Sequence, residues 1–282
     1  MADVPDECLE SYDYFFRPDL LAGKVAFVTG GGSGIGFTIA EILMRHGCVT
    51  VIASRNFSRV QKAARKLEEG TSQKCLPIQM DVRKVEQVEA AVKLILEKFK
   101  KIDILVNNAA GNFLCPAEKL SYNGLKTVFE IDTFGCFNVS KAVYLSWFKE
   151  HGGSIINITA TLSLAAPAPF QCHAGPAKAA IEAMSRHLAI EWGSHGVRVN
   201  CVAPGGIKDT VGYAKLGGKH VDLSQSIPLQ RIGTRRDVAD TVVYLASDAS
   251  SYVTGVSLIV DGGAILSNGP FLEKANLALS KL

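Results

Sequence analysis

The sequence lacks the patterns of several protein classes. Its seven cysteines stand singly, without a Cys-x-x-Cys pair or the Cys/His spacing of a zinc site, which predicts reduced thiols in an intracellular protein and no metal site. The sequence contains no run of eighteen apolar residues, so we expect no membrane span. The net charge of +3 comes without a long lysine and arginine run, so we expect no nucleic-acid partner.

The two ends of the chain differ in what they predict. The first sixteen residues, MADVPDECLESYDYFF, contain early acidic residues and no apolar segment typical of a secretory signal peptide. The last three, Ser280-Lys281-Leu282, match the tripeptide that peroxisomal import receptors bind. We therefore expect a peroxisomal protein with the import receptor as one partner.

Apolar runs of strand length alternate with helical patterns along the chain. The strand-like runs are 24–29, 49–54, 74–80, 102–107, 153–159, 197–203 and 256–263. Between the third and fourth runs, apolar residues recur at spacings of three and four, as on one helix face. Apolar strands separated by helices indicate a parallel sheet buried on both faces. The sequence predicts an α/β fold, a single doubly wound Rossmann-type domain with a seven-stranded parallel sheet.

The predicted domain covers most of the chain. We expect an N-terminal arm over residues 1–20, one domain over 21–266 and a C-terminal tail over 267–282. A glycine-rich stretch at about 205–235 predicts a substrate lid within that domain.

A glycine-rich turn follows the first predicted strand. Residues Thr29–Gly36 read TGGGSGIG and lead directly into a helical pattern. Glycines at such a turn let the backbone approach a pyrophosphate, and the helix start presents free N–H groups to the anion. The candidate cofactor-binding residues here are Gly30, Gly31, Gly32, Ser33, Gly34, Ile35 and Gly36.

The end of the second predicted strand favours NADPH. Proteins that bind NAD place an acidic residue there for the ribose hydroxyls. This chain has Ser54 and Arg55 instead, and an arginine can pair with a 2′-phosphate. The sequence therefore predicts NADPH as the cofactor and Arg55 as one of its contacts.

The spacing Thr-Gly-x-x-x-Gly-x-Gly resembles that of the short-chain dehydrogenase/reductase family. MDV (80–82), NNAAG (107–111) and APGGI (203–207) follow in the family's order, and the resemblance spans roughly residues 22–264. It implies that Asp81 contacts the adenine and that Lys178 holds the nicotinamide ribose. It also implies a nicotinamide-side turn formed by Pro204, Gly205, Ile207 and Thr210.

The catalytic tyrosine of that family is missing. In PFQCHAGPAKAA (169–180) the partner lysine is present as Lys178, but the tyrosine position is Ala174, and the family's serine position is Ala160. Reduction of a ketone therefore lacks its proton donor. Two interpretations remain: a catalytically silent NADP(H)-binding protein, or conjugate reduction of an unsaturated thioester, in which the proton goes to carbon.

Asp132 stands where the wider family usually has an asparagine that holds a water. A buried carboxylate needs a charged or hydrogen-bonded partner, and Lys178 is the candidate. A water held between the two can deliver the proton. Two alternatives stay open: Asp132 caps a helix beginning at Thr133, or His173 is the acid.

Ala174, Asp132, Lys178 and AAGNFLCPAE (109–118) together resemble the peroxisomal 2,4-dienoyl-CoA reductases of that family. The resemblance implies NADPH-dependent reduction of 2,4-dienoyl-CoA to trans-3-enoyl-CoA in the peroxisomal β-oxidation of unsaturated fatty acids. It implies Asp132 and Lys178 as the catalytic pair. The implied contacts of the acyl-CoA are Arg55, Arg83, Phe113, Ser121, Tyr122, Asn123 and Lys215.

The alternative within the enzymes is a trans-2-enoyl-CoA reductase, which shares sequence similar to LSWFKEHGGSIINI (145–158) but keeps asparagine at position 132. The resemblance also implies a homotetramer. An apolar stripe formed by Ala177, Ile181, Met184 and Leu188 predicts either an oligomer contact or a face packed inside the chain. Residues 161–173 and Lys208-Asp209 depart from the family pattern beside the substrate site.

Overall fold

Strands and helices alternate through the computed structural model, which describes residues 16–163, 168–210, 213 and 224–267. The strands are β1 (Val25–Thr29), β2 (Val49–Ser54), β3 (Cys75–Gln79), β4 (Ile104–Asn107), β5 (Gly153–Ile158), β6 (Val197–Pro204) and β7 (Ser257–Val260). The helices are α1 (Gly34–Arg45), α2 (Phe57–Thr71), α3 (Val85–Phe99), α4 (Tyr122–Phe129), α5 (Gly135–Val143), α6 (Lys149–His151), α7 (Ala174–Trp192) and α8 (Arg235–Ala246).

The strands form one parallel sheet in the order β3-β2-β1-β4-β5-β6-β7. Side chains alternate between its faces: Ala26 and Val28 point into a core shared with α1, α2 and α8, whereas Val25 and Phe27 point into a core shared with α3, α5 and α7. The predicted α/β class and seven-stranded doubly wound sheet are confirmed.

The strand order reverses between β1 and β4. Crossovers run outward from this point in both directions, so the carboxyl ends of the two strands leave a crevice between their loops. Thr29 bridges the crevice floor, since its Oγ1 accepts the backbone N–H groups of Asn108 and Ala109, each at 3.0 Å.

The helices α4, α5 and α6 follow one another without an intervening loop. They are joined by π-helical turns at Glu130–Phe134 and Tyr144–Phe148. A π turn holds one residue more than an α turn, and such turns occur frequently at functional sites.

The apolar stripe of α7 packs inside the chain. Ala177, Ile181 and Leu188 are buried, and Met184 packs against the same residues. Most of the stripe therefore packs inside the chain, as the internal alternative predicts.

The chain is attached to the sheet before the first strand begins. Phe16 and Leu20 pack against the core, and Nδ1 of the buried His46 lies 2.8 Å from the carbonyl oxygen of Arg17. Within the ranges that the structure describes, no helix is both long and apolar enough to cross a bilayer.

Candidate active site

A cleft of about 410 Å³ lies over the carboxyl ends of the strands. Many candidates from the sequence line it, namely Gly30, Gly32, Ser33, Gly34, Ile35, Gly36, Arg55, Asp81, Lys178 and Thr210. It is the crevice in which doubly wound sheets bind nucleotides.

The glycine turn fits a pyrophosphate. Gly30 has φ +69°, and a Cβ there would lie 2.8 Å from Asn108 Nδ2, so only glycine suits this position. The side chain of Ser33 makes no capping hydrogen bond, which leaves the first turn of α1 open to an anion. Gly31 differs: it is absent from the described lining, and a Cβ there would lie 2.6 Å from Ile52.

Two arginines reach the cleft beside the end of β2. Arg55 was expected there, and Arg59 in the first turn of α2 lines the same cleft. Asn56 caps α2 by accepting the backbone N–H of Arg59 at 3.0 Å, which fixes this turn. Asn56, three positions before Arg59, is the sequence signal that would have placed Arg59 in the first turn of α2.

Asp81 lines the cleft while Arg83 holds its carboxylate. Arg83 Nη2 lies 2.6 Å from Asp81 Oδ2, and Nε lies 3.0 Å from Oδ1. This hydrogen bonding to Arg83 holds the pKa of Asp81 below its ordinary value. Arg83 itself lines a separate cavity of about 520 Å³ beside Phe134 and Phe137.

The predicted nicotinamide-side turn reaches the cleft through one residue. Thr210 lines the cleft, and its Oγ1 donates to the carbonyl of Ile207 at 2.9 Å. Pro204, Gly205 and Ile207 are not among the described residues of the lining.

Asp132 and Lys178 form a buried ion pair. Lys178 Nζ lies 3.1 Å from Asp132 Oδ2 and donates to the carbonyl of Ile158 at 3.1 Å. The other carboxylate oxygen accepts the backbone N–H of Gly111 at 2.8 Å. Because both charges are buried, each depends on the other for compensation.

A π-helical turn places Asp132 in this pair. Asp132 and Thr133 are consecutive, and both are buried within the turn Glu130–Phe134. Thr133 Oγ1 donates to the carbonyl of Ala177 at 3.0 Å, which fastens the turn to α7 one residue before Lys178. The alternative that Asp132 caps a helix beginning at Thr133 is wrong, because the helical path continues through both residues.

A second cavity of about 10 Å³ lies below the pair. Lys178 lines both this cavity and the cleft, whereas Asp132 lines only the inner one, together with Asn107 and Cys136. Asn107 Nδ2 donates to Asn157 Oδ1 at 2.8 Å, which binds β4 to β5. Burial raises the pKa of the Cys136 thiol to about 12, so it stays protonated.

The positions of the missing tyrosine and serine are occupied by small apolar residues. Ala174 is buried at the start of α7, and Ala160 follows β5. Beside it, Thr159 Oγ1 donates to Glu182 at 2.9 Å, and Ser163 Oγ donates to the same oxygen at 2.5 Å. Both hydroxyls therefore donate hydrogen bonds to the buried carboxylate of Glu182.

Phe113 lies at the start of the region expected to hold the acyl-CoA. Its ring is stacked on His173 with centroids 4.3 Å apart, and its Cζ lies 3.3 Å from where a Cβ on Gly124 would be. Ser121 caps α4 by accepting the backbone N–H of Gly124. Tyr122 is 95% exposed, and the following Asn123 is exposed too. Lys215 lies outside the described residues.

In the described ranges, no three His, Cys, Asp or Glu side chains are grouped as a metal site would require.

Comparison with known proteins gives consistent matches over nearly the whole chain. A family model described as Enoyl-(Acyl carrier protein) reductase matches residues 30–264. A Danio rerio protein named peroxisomal 2,4-dienoyl-CoA reductase, (3E)-enoyl-CoA-producing, is 58% identical over 95% of this chain and 90% of its own length. A Saccharomyces cerevisiae protein of the same description is 46% identical over 88% of this chain and 86% of its own.

A solved structure supports the fold. The crystal structure of a short chain dehydrogenase from Bacillus anthracis is 40% identical, with a TM-score of 0.81, and the match covers 88% of this chain and 99% of that one.

Proposed function

The chain belongs to the short-chain dehydrogenase/reductase family, and we propose that it reduces 2,4-dienoyl-CoA to (3E)-enoyl-CoA in peroxisomes. The observation that carries this proposal is the buried Asp132–Lys178 pair beside Ala174. A site without a tyrosine for an alkoxide still suits a reaction whose proton ends on carbon. The relatives named above carry this activity in their names.

The chain's own groups account for the steps apart from hydride supply. NADPH, held by the glycine turn, Arg55 and Lys178, would supply the hydride that C5 of the dienoyl thioester accepts. Negative charge then spreads to the thioester oxygen, and the ammonium of Lys178 stabilises it. A water held by Asp132 and Lys178 delivers a proton to C2, which leaves one double bond between C3 and C4.

NADPH is the proposed form of the family's nicotinamide cofactor. Arg55 and Arg59 line the cleft at the end of β2, where acceptors of the ribose hydroxyls stand in NAD-binding proteins. Their guanidinium groups suit a 2′-phosphate. The cleft, the glycine turn and Lys178 would hold the rest of the cofactor.

The site of action and the assembly complete the proposal. Both curated relatives are named peroxisomal, and the chain ends in Ser280-Lys281-Leu282, beyond the described residues. We propose that the import receptor binds this tripeptide. We also propose a homotetramer, which a native mass of four chains would support and a monomeric mass would contradict.

The decisive assay compares two substrates with the purified protein. NADPH consumption with a 2,4-dienoyl-CoA should greatly exceed that with a 2-enoyl-CoA, and the product should carry its double bond between C3 and C4. Turnover confined to the 2-enoyl-CoA would support the trans-2-enoyl-CoA reductase alternative. Cofactor binding without turnover of either would support the silent protein.

A further inference from the structure

His173 is completely buried directly before Ala174, and the proposed reaction gives it no part. Its Nε2 lies 2.8 Å from the carbonyl oxygen of Phe113. The imidazole also stacks on the Phe113 ring at an interplanar angle of 25°. One residue thus holds both the backbone and the side chain of Phe113.

The hydrogen bonding of His173 does not suit a general acid that transfers a proton to the substrate. A carbonyl oxygen only accepts, so Nε2 carries a proton and donates it to Phe113. Nδ1 is buried and meets no hydrogen-bond partner among the residues that the structure describes. A general acid needs an N–H that reaches the substrate, and both ring nitrogens face the protein interior.

The segment that His173 holds is fastened at every second residue. The backbone N–H of Gly111 donates to Asp132 at 2.8 Å, and the backbone N–H of Cys115 donates to the carbonyl of Phe170 at 3.1 Å. The histidine bond to Phe113 lies midway between these two. Together they tie one short segment, 111–115, to the catalytic carboxylate and to the chain around the missing tyrosine.

Segment 111–115 separates the cofactor from the region proposed for the acyl-CoA. Asn112 lines the cofactor cleft, whereas the next residue, Phe113, contacts the first turn of α4 and remains 38% exposed. A shift of this segment would therefore move the acyl-CoA wall more than the glycine turn that holds the cofactor.

We propose that His173 is a positioning residue for the acyl-CoA. Its Nε2–H fixes the Phe113 carbonyl, and the fixed Phe113 sets the affinity for the thioester substrate, while the glycine turn of the cofactor cleft lies outside the segment. This inference rests on the proposed function for the identity of the substrate.

Three substitutions separate the hydrogen bond from the ring. His173→Gln places an amide N–H at the same distance along the side chain as Nε2. His173→Asn carries the same amide one methylene shorter, and His173→Phe keeps the stacked ring without a donor. We expect Asn and Phe to raise KM for 2,4-dienoyl-CoA roughly 10- to 100-fold, the size of one lost buried hydrogen bond. We expect Gln to restore most of that loss and all three to change the Kd of NADPH much less than KM.

Several outcomes would overturn the proposal. One is a fall in kcat with an unchanged KM, which would make His173 the acid. An equal rise in KM in the Gln and Asn variants would show that the hydrogen bond does not matter. A rise in the Kd of NADPH as large as the rise in KM would show that the effect is not confined to the acyl-CoA. Thermal unfolding of each variant identifies any that fail to fold, and the Gln–Asn comparison remains decisive if Phe is one of them.

Failure of the proposed function is a separate result. If the wild-type protein does not turn over the dienoyl-CoA, the Kd of a saturated acyl-CoA in the presence of NADP⁺ replaces KM. Weaker binding in Asn and Phe, restored by Gln, would still support the positioning role. Equal binding in all four proteins would exclude it.

Discussion

Asp132 joins Lys178 to the wall of the active site with a single carboxylate. One oxygen lies 3.1 Å from Lys178 Nζ, and the other accepts the backbone N–H of Gly111. The group proposed to hold the proton-delivering water therefore also fixes the loop beside the substrate. Loss of its charge and loss of its hydrogen bond have different consequences, which substitutions can separate.

Substitution of the pair should separate turnover from cofactor binding. Asp132→Ala should lower kcat roughly 100- to 10,000-fold, the contribution of a positioned proton donor, with little change in the Kd of NADPH. Lys178→Ala should impair both, because Lys178 lines the cleft as well as the inner cavity. Steady-state assays of NADPH consumption measure kcat, and titration with NADPH measures its Kd.

A matched variant controls for folding. Breaking a buried pair typically costs about 3–5 kcal/mol, so Asp132→Ala must be checked by thermal unfolding. Asp132→Asn keeps an oxygen for the N–H of Gly111 and replaces the charged oxygen that faces Lys178 with a neutral NH2 group. A kcat near that of the wild type in the Asn variant would contradict a role for the carboxylate charge.

Reversal of charge at Arg55 should erode the preference for NADPH. Arg55→Asp should raise the Kd of NADPH roughly 10- to 100-fold, because a charge-assisted hydrogen bond to the 2′-phosphate is lost, and should affect NADH little. Arg59 lines the same cleft and should retain part of the affinity. Arg65→Asp, on the exposed side of α2, gives the matched control for charge alone. Equal affinity of the wild type for NADH and NADPH would refute the assignment.

Removal of the last three residues should change location without changing activity. A protein that lacks Ser280 to Leu282 should remain in the cytosol, because the import receptor reads that tripeptide, while its kcat stays that of the full chain. Microscopy of a fusion with a fluorescent protein at the N-terminus measures location. Continued import after the deletion would indicate another signal.

The contribution of Arg231 to stability should depend on pH. The Arg231 guanidinium, 2.8 Å from Asp237, is the largest cause that lowers the pKa of that carboxyl to about 2, and hydrogen bonds from Thr234 contribute as well. A lowered pKa stabilises the fold where the carboxyl is charged, above its ordinary pKa, and that stabilisation is lost as pH falls through the folded value. Denaturant unfolding should therefore show Arg231→Gln less stable than the wild type at neutral pH. The difference should shrink between about pH 4 and about pH 2, and a constant difference would exclude the ion pair as its cause.

Local sequence patterns predicted the sheet, and most of the glycine-turn residues that they indicated line the cleft. Each strand is a short apolar run, and the glycine turn has a backbone requirement visible in the sequence itself, as Gly30 shows with its positive φ. Asp132 was also singled out in the sequence, because it stands where the wider family usually has an asparagine and a buried carboxylate needs a partner.

The features that depend on distant packing were not predicted. The apolar stripe of α7 indicates a buried face but not which surface covers it, and the sheet covers it here. The π turn at Glu130–Phe134 leaves no periodicity signal over five residues. The place of His173 beneath Phe113 joins residues sixty positions apart, which no local pattern connects.

The pairing of β1 with β4 has a consequence for how the protein folds. The backbone N–H of Val25 donates to Asp103, 78 positions later, and β2 and β3 are formed by the chain between them. Contacts of such sequence separation pay a large closure entropy and typically make folding slow. The glycine turn after β1 contacts Asn108 only once these strands have paired, so the cofactor cleft forms late in folding. A nicotinamide dinucleotide should therefore slow unfolding, by stabilising the native state alone, and leave the rate of refolding unchanged.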